Sequence, residues 1–92
     1  MIASKIIISL TPEELRLLRE INTSFYFRES FNRDLLHGYS LTLDSSTYPI
    51  IKEWESFLLN GYSQRNEAEK RLYLNLMYHI LYYEVSNHGK ER

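Results

Sequence analysis

The chain has no cysteine among its 92 residues. Disulfides, thiolate zinc sites and a cysteine nucleophile are therefore excluded. Glycine is scarce, at positions 38, 61 and 89 only. Each stands at an expected helix end or in the tail, so no glycine-rich loop exists to cradle a phosphate. The two prolines, Pro12 and Pro49, both fall where a helix would begin and the missing N–H costs nothing. Neither sign of charge is in surplus: 11 basic residues face 12 acidic ones, for a net charge of −1. No long-range field would draw such a chain onto nucleic acid or anionic lipid. No stretch approaches the roughly 18 apolar residues of a membrane span. The opening MIASKIIISL has Lys5 before only a short apolar run and lacks the layout of a signal peptide. Internal repeats and low-complexity tracts are missing too. These features fit a cytoplasmic protein with no cofactor, no metal and no membrane partner.

What is present suits one small folded unit. A chain of this length buries about 60–65% of its unfolded surface, enough for a modest core. Hydrophobic residues make up 43% and charged residues 25%, ordinary values for a globular domain. Residues 1–87 read as a single domain and 88–92 as a polar tail. The unusual figure is eight tyrosines. Tyr packs like a hydrophobe yet keeps a hydrogen-bonding tip, which suits a wet-edged core and an intermittently covered surface equally well.

Along the chain, KIIISL at 5–10 alternates and is β-branched, so it predicts a strand with Ile6, Ile8 and Leu10 on one face. TPEE at 11–14 predicts a helix start, with Thr11 as cap and Glu14 reaching back. Leu15, Leu18 and then Ile21 or Asn22 share one side of that helix, widened by Leu17. The segment FYFRESFNRDLLHG has two readings, an aromatic strand or a helix over 25–37 with the stripe Phe27–Phe31–Leu35 and Gly38 as its stop. The longer stripe favours the helix. YSLTLD at 39–44 predicts a second strand with Tyr39, Leu41 and Leu43 inward. DSST supplies caps, and the next helix buries Ile50, Trp54, Phe57 and Leu58, flanked by Ile51, and ends at Gly61. Ser63 is expected to open a last helix running to about Asn87. The expected fold is α+β, predominantly helical, in the order β-α-(α)-β-α-α. Two strands alone do not hold as a sheet, so helices cover the pair or a second copy of the chain completes it.

The last helix carries LYLNLMYHILYY at 72–83, where only Asn75 and His79 interrupt Leu, Ile, Met and Tyr. On a helical wheel Arg71, Asn75, His79, Tyr82 and Ser86 form one narrow polar stripe, read as a solvated edge, and the rest of the circumference is apolar. A helix apolar nearly all round is normally buried, and this chain has few elements with which to bury it. A partner chain is the easier cover. Tyr73, Leu74, Met77, Tyr78, Leu81 and Tyr82 are the expected partner-binding residues.

Chemistry is less visible. The histidines at 37, 79 and 88 lack metal-ligand spacing. The pairs Arg33–His37 and Arg71–His79 do not have the spacing used by small helical ribonucleases. Carboxylate pairs Glu13/Glu14, Glu53/Glu55 and Glu67/Glu69 read as solvated helix surface, and the serines at 45, 46 and 63 read as caps. No catalytic residue is expected.

The stretch KIIISLTPEELRLLREI, residues 5–21, resembles the opening strand and first helix of ribbon-helix-helix repressors. That resemblance implies a strand that pairs with its dimer mate and enters the major groove of DNA. It departs from the family further on: the best match to the second helix, NGYSQRNEAEKRLYLNL, lies far downstream at 60–76. Three functions follow in order of support. The first is a small non-catalytic protein–protein interaction module of the inhibitor, immunity or antagonist type, binding a protein partner or a second copy of itself. The second is a DNA-binding regulator using the N-terminal strand. The third is a small nuclease with His79 as base.

Overall fold

The computed structural model describes residues 5–23, 36–37 and 39–88. The expected stripe Phe27–Phe31–Leu35, Arg33, Gly38 and the tail from 89 lie outside the described residues. Strand β1 spans Lys5–Ser9, helix α1 Pro12–Thr23, strand β2 Leu36–His37 and strand β3 Ser40–Asp44. Helix α2 follows at Tyr48–Leu59, then a single 3-10 turn at Tyr62–Gln64 and helix α3 at Glu67–His88. The result is the small, predominantly helical α+β fold expected, with the order β-α-β-β-α-α among the described residues. The helix anticipated over 25–37 does not reach His37: Leu36 and His37 pair with β3 as a short strand.

The sheet is antiparallel in the order β1-β3-β2. Lys5 lies opposite Asp44 and Ser9 opposite Ser40. The Leu10 N–H donates to the Tyr39 carbonyl at 2.7 Å. That bond makes Ile8/Leu41 and Ile6/Leu43 the hydrogen-bonded pairs, since such pairs alternate along an antiparallel ladder. It also turns the backbone groups of Lys5, Ile7 and Ser9 toward the outer edge. Ile8, Leu41 and Leu43 are fully buried under the helices, while Lys5, Ile7 and Ser9 face outward. Tyr39, expected on the inner face, is exposed instead. It stands immediately before β3, where its carbonyl is held by Leu10 while its side chain remains outside the core.

Capping chemistry sets the helix starts. Thr11 and Glu14 form the expected capping box: the Thr11 N–H donates to Glu14 Oε1 at 2.8 Å and the Glu14 N–H to Thr11 Oγ1 at 3.1 Å. Before α2, Asp44 Oδ1 accepts the N–H groups of Ser46 and Thr47 and the Ser46 hydroxyl. Thr47 is buried there, its hydroxyl donating to the Thr42 carbonyl at 2.8 Å. For α3 the sequence expectation needs correcting. Ser63 sits in the 3-10 turn, and Asn66 with Glu69 forms the cap that opens the helix, each side chain accepting the other's N–H. Asn is as good an N-cap as Ser and has a Glu three residues on, which Ser63 lacks.

Among the described residues one core joins β1, β3 and the three helices. Leu15, Leu17, Leu18 and Ile21 of α1 are buried as their spacing predicted. On α2 the fully buried residues are Ile51, Trp54 and Leu58, with Ile50 and Phe57 only partly covered. Of the expected stripe Ile50–Trp54–Phe57–Leu58, Trp54 and Leu58 are thus fully buried, while the flanking Ile51 takes the inner place of Ile50, because α2 packs against both β3 and α3. Helix α3 contributes Leu72, Leu76 and Ile80. At the α2–α3 corner Gly61 adopts φ 74°, a left-handed conformation that glycine takes without steric cost. Arg65 then folds back over the end of α2. Its guanidinium donates to the carbonyls of Leu58 at 2.8 Å, Phe57 at 2.7 Å and Asn60 at 3.0 Å, and lies over the Phe57 ring. A cation there satisfies carbonyls that a helix end leaves without partners.

Candidate interaction surface

Helix α3 is amphipathic in an unusual sense, because both of its broad faces are apolar. The inward face holds Leu72, Leu76 and Ile80, all buried. The outward face holds Leu74, Tyr78, Leu81, Tyr82 and Val85, whose exposure runs from 38% for Leu74 to 73% for Val85. The remaining two sides explain why the helix cannot turn to hide them.

One side is pinned to the N-terminal elements. Asn75 donates through Nδ2 to the Ser9 carbonyl at 3.0 Å and stands 3.4 Å from Glu14 Oε1. It therefore closes one outward carbonyl of β1 and braces the α1 capping box with the same amide. His79 follows one turn later, its Nδ1 2.8 Å from the Asn75 carbonyl. A carbonyl only accepts, so Nδ1 carries the proton. The stripe read as a solvated edge is thus a docking edge at Asn75 and His79, both half-buried. Sequence spacing placed these residues on one line but held no sign of the β1 carbonyl that meets them.

The opposite side is locked to α2. The Tyr48 hydroxyl donates to Glu84 Oε2, and the Tyr48 and Tyr83 rings stack with centroids 5.4 Å apart. Lys52 lies 3.4 Å from Glu84 and 3.8 Å from the buried Glu55. The bond to Glu84, with burial adding to it, pushes the Tyr48 phenol up to about 12. Tyr73 belongs to this side as well, packed edge-on against Tyr62 at 5.2 Å. Burial, and then the nearby Glu55, raise its phenol above the ordinary value.

Of the six residues expected to bind a partner, the structure brings Leu74, Tyr78, Leu81 and Tyr82 together on one exposed face. Met77 lies half-buried at its margin. Tyr73 is turned toward α2 and does not share the face. Val85 was missed, although it is the most exposed member. A signal for it was present: Leu74, Tyr78, Leu81 and Val85 are spaced four, three and four apart, the a/d spacing by which one helix packs along another. Glu67, Arg71 and His88 continue the same spacing at either end.

Two tyrosines, two leucines and a valine at these exposures present roughly 500 Å² of contiguous, largely apolar surface. That is the upper part of the range for the largest patch on an ordinary monomer, where such patches are often functional. No carboxylate or ammonium interrupts the seam between Arg71 and Val85. Among the described residues no group of three or more His, Cys, Asp or Glu side chains is placed to hold a metal ion. No described helix is long and apolar enough to cross a membrane. No family model matches the chain, and neither a curated protein nor a solved structure matches it.

Proposed function

We propose that this chain is a small protein–protein interaction module that acts by contact, without catalysis, through the outward face of α3. The observation that carries this reading is the exposed seam Leu74–Tyr78–Leu81–Val85 with Tyr82 beside it, on a helix whose other three sides are engaged. Burying that seam on a partner releases ordered water from apolar side chains, while the tyrosine hydroxyls keep a hydrogen-bonding option at the rim. Tyr is also enriched among the few residues that dominate binding energy. A rigid helix face loses little conformational freedom on docking, which favours affinity per unit area. A module of this kind works by occupying another protein's surface, as an inhibitor, immunity protein or antagonist does.

The test uses affinity capture from cells of the natural source, with the unaltered chain and with Leu81→Glu as paired baits. The expected result is a protein retained by the first and lost by the second, whose purified form then binds the unaltered chain in calorimetry. Equal capture by both baits would move the contact elsewhere on the molecule. Failure to find any binding partner, including a second copy of the chain, would sink the reading.

A further inference from the structure

Resting on that reading of the α3 face, the geometry points to a second copy of this chain as its occupant, with the two α3 helices packed antiparallel about a two-fold axis between Tyr78 and Leu81. In an antiparallel helix pair each a position faces a d position of the partner. Here that rule sets Tyr78 against Leu81 of the second copy and Leu74 against Val85. The two-fold repeats both layers. Four consecutive layers then contain only Tyr, Leu and Val, with the larger side chain of each layer facing a smaller one, as close packing needs.

Charge selects the orientation. An interface between identical surfaces sets like charges face to face unless the charged positions are offset. Antiparallel packing separates the two Arg71 side chains to opposite ends of the seam, and the helix dipoles oppose each other favourably. Parallel packing would stack Arg71 on Arg71 and Glu67 on Glu67. The seam itself is free of charge from Leu74 to Val85, so doubling it costs no ion desolvation.

Area sets the strength. Two faces of this size bury on the order of 1,000 Å² together, the lower bound for a specific interface. An interface at that bound belongs to the size class of weak, exchanging pairs, with dissociation constants on the order of micromolar or weaker.

Sedimentation velocity from about 1 µM to about 1 mM spans that range. The expected result is a concentration-dependent monomer–dimer shift, abolished by Leu81→Glu and equally by Tyr78→Glu, with helical circular dichroism unchanged in both. Because the chain has no cysteine, orientation can be read by cross-linking. Leu74→Cys mixed with Val85→Cys should give a disulfide between unlike chains, whereas Leu74→Cys alone should give none. A monomer throughout the range overturns self-pairing while leaving a foreign partner on the same face to the capture experiment. A dimer indifferent to both glutamates places self-association on another surface. Efficient Leu74→Cys homodimer cross-linking means parallel helices, and either outcome overturns the arrangement.

Discussion

Trp54 shows how much one side chain carries in a core this small. It is fully buried where α2 meets the sheet and α3, so Trp54→Ala removes the largest packed group of the molecule. The expected loss is about 3–5 kcal/mol, as for other aromatic truncations in cores, read from urea denaturation. A loss below about 1 kcal/mol would contradict the burial. Tyr48 makes a different point. Its phenol is held neutral by the Glu84 carboxylate, with a folded value near 12 against about 10 for free tyrosine. The folded state favours the protonated form, so the stabilisation is complete below about pH 10 and disappears as pH rises through about 12. Tyr48→Phe should therefore be less stable than the unaltered chain at neutral pH, and the difference should shrink across that alkaline window. A constant gap between the two in denaturation at pH 8 and pH 11.5 would show that the bond does not couple to titration.

At the scale of elements, α3 separates two kinds of apolar residue that sequence alone treats alike. Leu76 lies on the inward face and Leu81 on the outward one. Leu76→Ala should cost about 2–5 kcal/mol, whereas Leu81→Ala in dilute solution should cost less than about 1 kcal/mol. Similar losses at both sites, measured by thermal unfolding, would mean that the outward face is covered within the monomer. The same contrast marks what was legible beforehand. Strand β1, the start of α1 and the α1 stripe were readable because local chemistry, alternation and a capping box, decides them. The apolar girth of α3 and four of its outward residues were readable for the same reason. The orientation of α3 about its own axis was not. It is set by Asn75 meeting Ser9 and by Glu84 meeting Tyr48, and sequence spacing does not reveal which distant carbonyl or hydroxyl a polar residue will find. The inner place taken by Ile51 rather than Ile50 on α2 has the same origin in tertiary packing.

For the whole molecule, the charge pattern bears on the resemblance to ribbon-helix-helix repressors. Strand β1, which that resemblance would pair with a dimer mate, pairs along its full length with β3 of its own chain. Arg16, Lys52 and Arg65 are engaged by carboxylates within the fold. Non-specific DNA affinity comes from phosphate contacts made by unopposed cations, and β1 offers Lys5 for that purpose. The expectation is no useful binding to mixed duplex DNA at physiological salt in a fluorescence titration. Tight, salt-steep binding lost in Lys5→Ala would restore the DNA-binding alternative. The Asn75 amide has a further consequence, for the order in which the chain takes shape. Its two partners precede it by 66 and 61 residues, and the inner face of β1 is roofed by α3. During synthesis the first strand and helix must therefore wait, with Ile8 and Leu18 uncovered, until the last helix has been made. Contacts of such long sequence separation form late because the loop entropy must be overcome first. Until that helix forms, β1 and α1 lack its cover, and the helix that supplies it is also the one that carries the outward face.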